Sequence, residues 1–289
     1  MSTDTDAGSR TLHRQPKSPA PEGTISTEVE EKQVEERVAI GAHVVYETIR
    51  REGEEELARP AAALAWSGFA AGLSMGFSFV AEALIQNRLP ERSWAQLVSR
   101  LGYSVGFLIV VLGRQQLFTE NTLTVILPLL LRKKITVLIR VLRLWAIVLA
   151  ANLVGTFLFA FCISHIAVFD RSIQQSLTQI GAAHLGVGFG IVLFRAVFAG
   201  WLIALMVWLL PAAEHSRLSI IIILTYLIGL GGFSHVIAGS TTVFFLVTTG
   251  YISWKMYAVN FFFPTLLGNI VGGVSLVAAL GHGQVVGGK

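Results

Sequence analysis

Six long apolar runs follow Pro60, and they limit the fold more than any other feature of the chain. They span about 62–84, 101–130, 143–165, 184–210, 218–249 and 256–280. A helix needs about 20 apolar residues to cross the hydrocarbon core of a bilayer, and each run is long enough. The chain is 53% hydrophobic and 14% charged, against about 25% charged residues in soluble domains. The sequence therefore predicts an all-α integral membrane protein with six transmembrane helices.

Two of the runs are too long for one simple span, and each contains a polar interruption. The second run holds GRQQLFTENT at 113–122, and the fifth holds GLGGFSHVIAGSTT at 229–242. Irregular backbone at membrane depth is tolerated where protein buries it or where it lines an aqueous cavity. We therefore predict that helices two and five are broken and that both breaks face a pathway.

The two halves of the apolar region repeat each other weakly. Asn152-Leu-Val-Gly155 in the third run resembles Asn269-Ile-Val-Gly272 in the sixth. The first stretch begins 33 residues after Thr119 and the second 34 residues after His235. Three crossings reverse the chain direction, so the halves form inverted three-helix repeats. Such repeats with broken helices indicate a transporter or channel with a site at the membrane midplane.

The polar first sixty residues contrast with the rest of the chain. They carry 13 of the 18 acidic residues. A helix is predicted over about 27–58, because Val34, Val38, Ala42, Val45 and Ile49 fall on one stripe. This helix would pack on its own protein or a neighbouring subunit, or bind a partner. We divide the chain into a tail, 1–60, and a transmembrane channel domain, 61–289.

Basic residues between the second and third runs set the expected orientation. The cluster comprises Arg132, Lys133, Lys134, Arg140 and Arg143. By the positive-inside rule this loop is cytoplasmic, and six crossings then place the tail and both termini in the cytoplasm. Because the basic residues flank apolar runs, we expect no nucleic-acid partner.

His235 and Thr119 are the candidate pathway residues. A histidine inside the membrane is a functional candidate by default, and its titration near neutral pH suits a proton relay to a weak-acid anion. It could instead be buried and bonded to a backbone carbonyl. The Thr119 hydroxyl could bond His235 or the substrate, or cap a helix end.

Three basic side chains could attract an anion. Arg114 flanks the first break, Arg195 lies inside the fourth run, and His184 is at its start. An arginine inside an apolar run more often pairs with backbone carbonyls or extends its charged group to the membrane surface.

The seven histidines form no HExxH motif and the single cysteine forms no cluster, so we expect no metal, no cofactor and no enzyme. An intramembrane hydrolase is the enzymatic alternative.

Several stretches together resemble the formate/nitrite transporter family, and within it the YfdC-like branch. They are Tyr103-Ser-Val-Gly-Phe107, Leu117-Phe-Thr119, Asn152-Leu-Val-Gly155, Phe198-Ala-Gly-Trp-Leu-Ile-Ala-Leu-Met-Val-Trp208 and Gly232-Phe-Ser-His235. The resemblance covers about residues 62–280. It implies an aquaporin-like fold and a homopentamer, with one pore per subunit, in a bacterial-type inner membrane.

The resemblance also implies roles for individual residues. His235 would be the central pore histidine, and Leu117, Phe118 and Thr119 would form the break in helix two. Tyr103, Ile203 and Ile228 would line an outer constriction, and Phe107, Leu117 and Phe118 an inner one.

This sequence departs from the family pattern at several positions. An acidic residue commonly precedes the histidine, where Ser234 stands here, and asparagines stand where Gly200 and Gly239 are found. His184 matches a position that is often basic. Glycines in place of amides are expected to widen the pore and to remove hydrogen-bond donors.

We expect a channel or transporter for small monovalent anions, similar to formate and nitrite, or their neutral acids. One alternative is a pore for neutral solutes such as water, glycerol or ammonia. Another is a non-conducting membrane scaffold whose tail binds a partner.

Overall fold

A computed structural model describes residues 40–280, which form helices and connecting turns without a strand. The first five helices are α1 (Ala42–Ala58), α2 (Ala61–Gln86), α3 (Ala95–Leu112), α4 (Asn121–Arg132) and α5 (Ile135–His165). The next four are α6 (Arg171–Ala182), α7 (Phe189–Leu209), α8 (Arg217–Leu230) and α9 (Val236–Thr248). Helix α10 has three consecutive pieces, Trp254–Met256, Tyr257–Phe262 and Phe263–Leu280.

Six segments cross the helix bundle, as the apolar runs predict. Five helices in residues 40–280 are long and apolar enough to span a membrane, while α4, α8 and α9 are shorter. The second crossing consists of α3 and α4, and the fifth consists of α8 and α9. Both predicted breaks are therefore present, and α1 and the end of α10 lie on one face of the bundle. Helix α6 lies on the other face.

Equivalent glycines allow one helix pair in each half to pack closely. A Cβ on Gly72 of α2 would collide with the backbone oxygen of Asn152 in α5. A Cβ on Gly200 of α7 would collide with the backbone oxygen of Asn269 in α10. Small residues at such positions let membrane helices approach to backbone contact. The paired contacts confirm the inverted repeat in three dimensions.

Some helix bounds differ from the prediction. Helix α5 begins at Ile135, eight residues before the expected start, so Arg140 and Arg143 lie on its exposed face and not in a loop. Long basic side chains near a helix end can extend to the polar interface, so they need not terminate the helix. Helix α7 begins at Phe189, and His184 lies in the preceding loop.

Helix α6 was not predicted. It is a short amphipathic helix, and the Asp170 side chain caps it by accepting a hydrogen bond from the Ile173 amide at 3.0 Å. Its buried residues, which include Leu177 and Ile180, join the apolar core on that face of the bundle. Its polar composition gave no membrane-span signal.

Helix α1 packs against the rest of the protein. Val45, Ile49 and Leu57 are buried in the same core cluster as residues of α4 and α10. A Cβ on Gly53 would collide with the backbone oxygen of Thr124 in α4. Part of the predicted tail helix, 27–39, lies outside the described residues.

Candidate functional site at the two helix breaks

Asn152 of α5 holds the first break in place. Its Oδ1 accepts a hydrogen bond from the Phe118 amide at 2.9 Å, and its Nδ2 donates to the carbonyls of Gln116 at 2.8 Å and Gly68 at 2.7 Å. The Asn152 side chain is fully buried. One amide thus satisfies backbone groups that the interrupted helix leaves without partners, a requirement inside a membrane.

Asn269 of α10 does the same for the second break. Its Oδ1 accepts from the Val236 amide at 2.8 Å, and its Nδ2 donates to the carbonyls of Ser234 at 2.9 Å and Ala196 at 2.8 Å. Phe118 is therefore equivalent to Val236. The counterpart of His235 is Leu117, and the spacing that aligned His235 with Thr119 is wrong by two residues.

His235 lies at the N-terminus of α9, with 1% of its surface exposed. Its Nδ1 lies 3.2 Å from the Ala238 backbone nitrogen, which donates the bond. An amide can only donate, so Nδ1 is an acceptor and the proton of the neutral ring is on Nε2. Nε2 lies 2.7 Å from Thr119 Oγ1. The two breaks therefore meet through a His235–Thr119 hydrogen bond.

Two short helices begin beside this hydrogen bond. Helix α4 starts at Asn121, two residues after Thr119, and α9 starts at Val236, directly after His235. The N-terminus of a helix carries a partial positive charge from its free amides. Both short helices therefore place favourable potential for an anion at the junction of the breaks.

Aromatic rings lead from His235 toward the α6 face. The Phe107 ring meets the His235 ring edge-on, with centroids 5.1 Å apart, and the Tyr103 ring lies 5.4 Å from Phe107. Phe118 lies edge-on to Trp145 of α5, at 5.8 Å. The remaining predicted constriction residues, Leu117, Ile203 and Ile228, are buried.

A cavity lined by both charged and apolar residues opens beyond Tyr103, and we call it the α6-side cavity. Its lining includes Glu82, Arg100, Tyr103, His184, Arg195, Ile228 and Ser234. Ser234 directly precedes His235, so the cavity adjoins the junction of the breaks. The structure thus brings two of the predicted basic residues, Arg195 and His184, to one chamber.

Comparison with known proteins agrees with this geometry. The family model for the formate/nitrite transporter matches residues 43–283. The chain belongs to the formate/nitrite transporter family. It is 39% identical over 251 residues to the inner membrane protein YfdC of Escherichia coli, covering 87% of this chain and 81% of that protein. It is 28% identical to the formate channel BtFdhC of Bacillus thuringiensis, covering 81% and 91%.

Solved structures of the family show the same fold. A pentameric formate channel with formate bound has a TM-score of 0.65 at 22% identity, covering 79% of this chain and 96% of that chain. An FNT family ion channel has a TM-score of 0.68 at 18% identity, covering 82% and 95%. The chain is a multi-pass membrane protein, and its family relatives are channels and transporters.

The two glycines that replace family asparagines pack against neighbouring helices. A Cβ on Gly200 would collide with the Asn269 backbone, and one on Gly239 with the ring of Phe261. Neighbouring atoms occupy the space that a side chain would need. The expected widening of the pore at these positions is therefore wrong.

Arg114 lies apart from the α6-side cavity. It is exposed, has a left-handed backbone with φ of 49°, and lies near Glu52 of α1. Glu120 is close to Glu52 and Glu56, and its Oε1 has no hydrogen-bond partner among residues 40–280. The pathway end near α1 thus holds carboxylates together with the basic side chains of Arg114 and Arg217.

His184 and Arg195 face the same cavity but differ in charge. Burial, together with the positive charges of Arg100 and Arg195, lowers the pKa of His184 to about 4. His184 is therefore neutral near pH 7. Among residues 40–280, no carboxylate lies within ion-pair distance of Arg195.

Sequence reasoning missed one charged pair of the cavity. Arg100 Nη1 donates to Glu82 Oε1, and Glu82 is 2% exposed. The sequence signal for this pair was Glu82, a single carboxylate within the first apolar run.

Among the described residues, no group of three or more histidine, cysteine or acidic side chains could hold a metal.

Proposed function

We propose that this protein conducts small monovalent anions, such as formate and nitrite, or their neutral acids, past His235. The observation that carries the proposal is the convergence of a histidine N–H donor with the N-termini of two half-helices. The similarity to the formate channel BtFdhC of B. thuringiensis and to the pentameric formate channel supports the substrate class.

The junction is suited to an anion that has lost most of its water. Apolar and aromatic side chains of Tyr103, Phe107 and Ile228 surround the approach and offer few replacements for hydration. The His235 Nε2–H then supplies a hydrogen bond to the anion. When no anion is bound, Thr119 Oγ1 accepts this bond. A carboxylate oxygen could take the place of the hydroxyl, and the two helix ends stabilise its charge.

The histidine acts in this proposal through its Nε2–H. The neutral ring has one proton, so transfer of that proton alone to an anion would leave an imidazolate. A relay needs an imidazolium, which needs a second proton on Nδ1. The Ala238 amide already donates to Nδ1, and a helix N-terminus disfavours a cation. We therefore propose hydrogen-bond donation as the main role of His235, with relay as the alternative.

No observation on residues 40–280 favours either of the other two hypotheses over anion conduction. Neutral-solute conduction rested on a pore widened at Gly200 and Gly239, where helix packing fills the space. The scaffold hypothesis needs a tail that binds a partner. Val45 and Ile49 of α1 pack within the chain, and residues 1–39 of the tail lie outside the described residues.

Uptake into proteoliposomes tests the proposed substrate class. Labelled formate, nitrite and glycerol are offered to vesicles that contain the protein and to empty vesicles, which measure diffusion through lipid. We expect vesicles with the protein to take up formate and nitrite faster than empty vesicles do. Glycerol uptake should be equal in the two kinds of vesicle. Glycerol uptake without formate uptake would support a neutral pore, and no uptake of any solute would support the scaffold.

We further propose a homopentamer in a bacterial inner membrane, with the α1 face cytoplasmic. The pentameric neighbour and the name of the E. coli relative support assembly and membrane, and Arg132, Lys133 and Lys134 support the orientation. Native mass spectrometry should give five copies, and an N-terminal tag should resist protease in intact right-side-out vesicles. Monomers alone, or a cleaved tag, would contradict these proposals.

A further inference from the structure

A buried ion pair lies at the wall of the α6-side cavity. Glu82 is in α2 and Arg100 begins the turn Arg100–Tyr103 within α3. A charge inside a membrane-spanning helix is costly and usually marks a function or a paired partner. Arg100 is the partner of Glu82, but their exposures differ: the carboxylate side chain is 3% exposed and the arginine side chain 22%. Both side chains line the α6-side cavity, and the guanidinium is the more exposed of the two.

Helix α2 fixes the turn that carries this arginine. The backbone of the turn lies directly on α2, because a Cβ on Gly102 would collide with the Glu82 backbone. Ser78 of α2 donates to the Tyr103 carbonyl and accepts from the Gly106 amide at 2.9 Å. Arg100 is consequently held on the same rigid turn as Tyr103, which leads to His235.

The charges of the cavity favour an anion. Arg100 and Glu82 offset each other, His184 is neutral near pH 7, and Ser234 is uncharged. Arg195 adds a positive charge from α7 that no described carboxylate offsets. A guanidinium has five N–H donors, and Glu82 engages one nitrogen of Arg100. Donors therefore remain on Arg100 for a ligand.

We propose that Arg100 is an anion-binding residue of the α6-side cavity, acting with Arg195, and that Glu82 holds it toward the cavity. A small monovalent anion binds these guanidiniums before it passes Tyr103 and reaches His235. The assignment rests on the proposed transport of anions and adds a binding step to it. Glu82 and Arg100 line the same cavity as Ser234. The family commonly has an acidic residue at the position of Ser234.

Concentration-dependent formate uptake tests the assignment. Initial rates are measured in proteoliposomes for wild type, Arg100→Gln, Arg195→Gln and Arg92→Gln, a control at an exposed arginine outside the cavity lining. We expect Arg100→Gln and Arg195→Gln each to raise the half-saturating formate concentration at least fivefold, with a smaller change in the maximal rate. Arg92→Gln should match wild type. An unchanged half-saturating concentration in Arg100→Gln would overturn the assignment.

A double variant separates anion binding from a purely structural ion pair. Arg100→Gln alone leaves the Glu82 carboxylate buried without its partner, so the variant can fail to fold. Glu82→Gln with Arg100→Gln removes both charges. A structural role predicts that the double variant regains the wild-type half-saturating concentration, which would overturn the assignment, whereas anion binding by Arg100 predicts that it stays raised. Absence of formate uptake by wild type would refute the proposed function itself.

Discussion

At the scale of single residues, two asparagines organise the pathway. Asn152 and Asn269 each make three hydrogen bonds to backbone groups at a helix break and in the neighbouring helix. The sequence repeat drew attention to both residues without indicating this role. The role depends on contacts across 33 to 84 residues of chain, which spacing alone does not indicate.

Replacement of either asparagine by leucine should destabilise the protein. Asn269→Leu leaves the Val236 amide and the Ser234 carbonyl buried without partners, at about 1–3 kcal/mol each, and removes a second bond to the helical Ala196 carbonyl. We expect a clear fall in the melting temperature, measured by size-exclusion chromatography after heating in detergent. Asn260→Leu, at an exposed position of α10, is the matched control. Equal melting temperatures for the two variants would refute the anchoring role.

Thr119 should matter through its hydroxyl. Thr119→Val keeps the shape but removes the hydroxyl, whereas Thr119→Ser keeps it. The hydroxyl accepts from His235 Nε2 in the structure and can donate its own O–H to an anion that replaces it as the acceptor. One neutral hydrogen bond contributes ~1 kcal/mol, which corresponds to about fivefold in rate. We expect Thr119→Val to slow formate uptake by about that factor and Thr119→Ser to retain most of it. Equal rates for both variants would show that the hydroxyl is dispensable.

At the scale of helices, glycines determine which pairs pack closely. Gly200→Asn restores the side chain common in the family but collides with the Asn269 backbone, and overpacking costs about 1–3 kcal/mol. Gly190→Asn, in the same helix, meets nothing within 4 Å and serves as the control. We expect only Gly200→Asn to lower the melting temperature. A stable Gly200→Asn variant with reduced uptake would instead place this position on the pore.

Hydrophobic pattern predicts the crossing helices well and the elements between them poorly. The breaks within helices two and five were evident, since Gly113 and the glycines near 231 interrupt runs that are too long. Helix α6 was missed because its single buried face lies among polar residues. The early start of α5 was missed because Arg140 and Arg143 lie on an exposed face.

At the scale of the whole molecule, both ends of the pathway carry acidic and basic side chains. Glu52, Glu56 and Glu120 lie near one end together with Arg114 and Arg217. Glu82, Arg100 and Arg195 line the cavity at the other end. Sequence could not pair Glu82 with Arg100, because they lie on different helices with no diagnostic spacing. The family resemblance gave the fold, while the cavity charges required three-dimensional placement.

The central claim is that formate passes His235 and uses its Nε2–H as a donor. The most direct measurement is the initial rate of labelled formate uptake into proteoliposomes, which counts formate whether or not a proton accompanies it. Wild type is compared with His235→Phe, which has no donor, and with His235→Gln, whose amide donates near the Nε2 position but does not titrate. Empty vesicles give the background.

We predict that wild-type vesicles take up labelled formate faster than empty ones, that His235→Gln retains much of this rate, and that His235→Phe falls to background. Loss of flux in His235→Gln as complete as in His235→Phe would show that titration is required and would contradict the donor role. A wild-type rate in His235→Phe would contradict the passage of formate past His235.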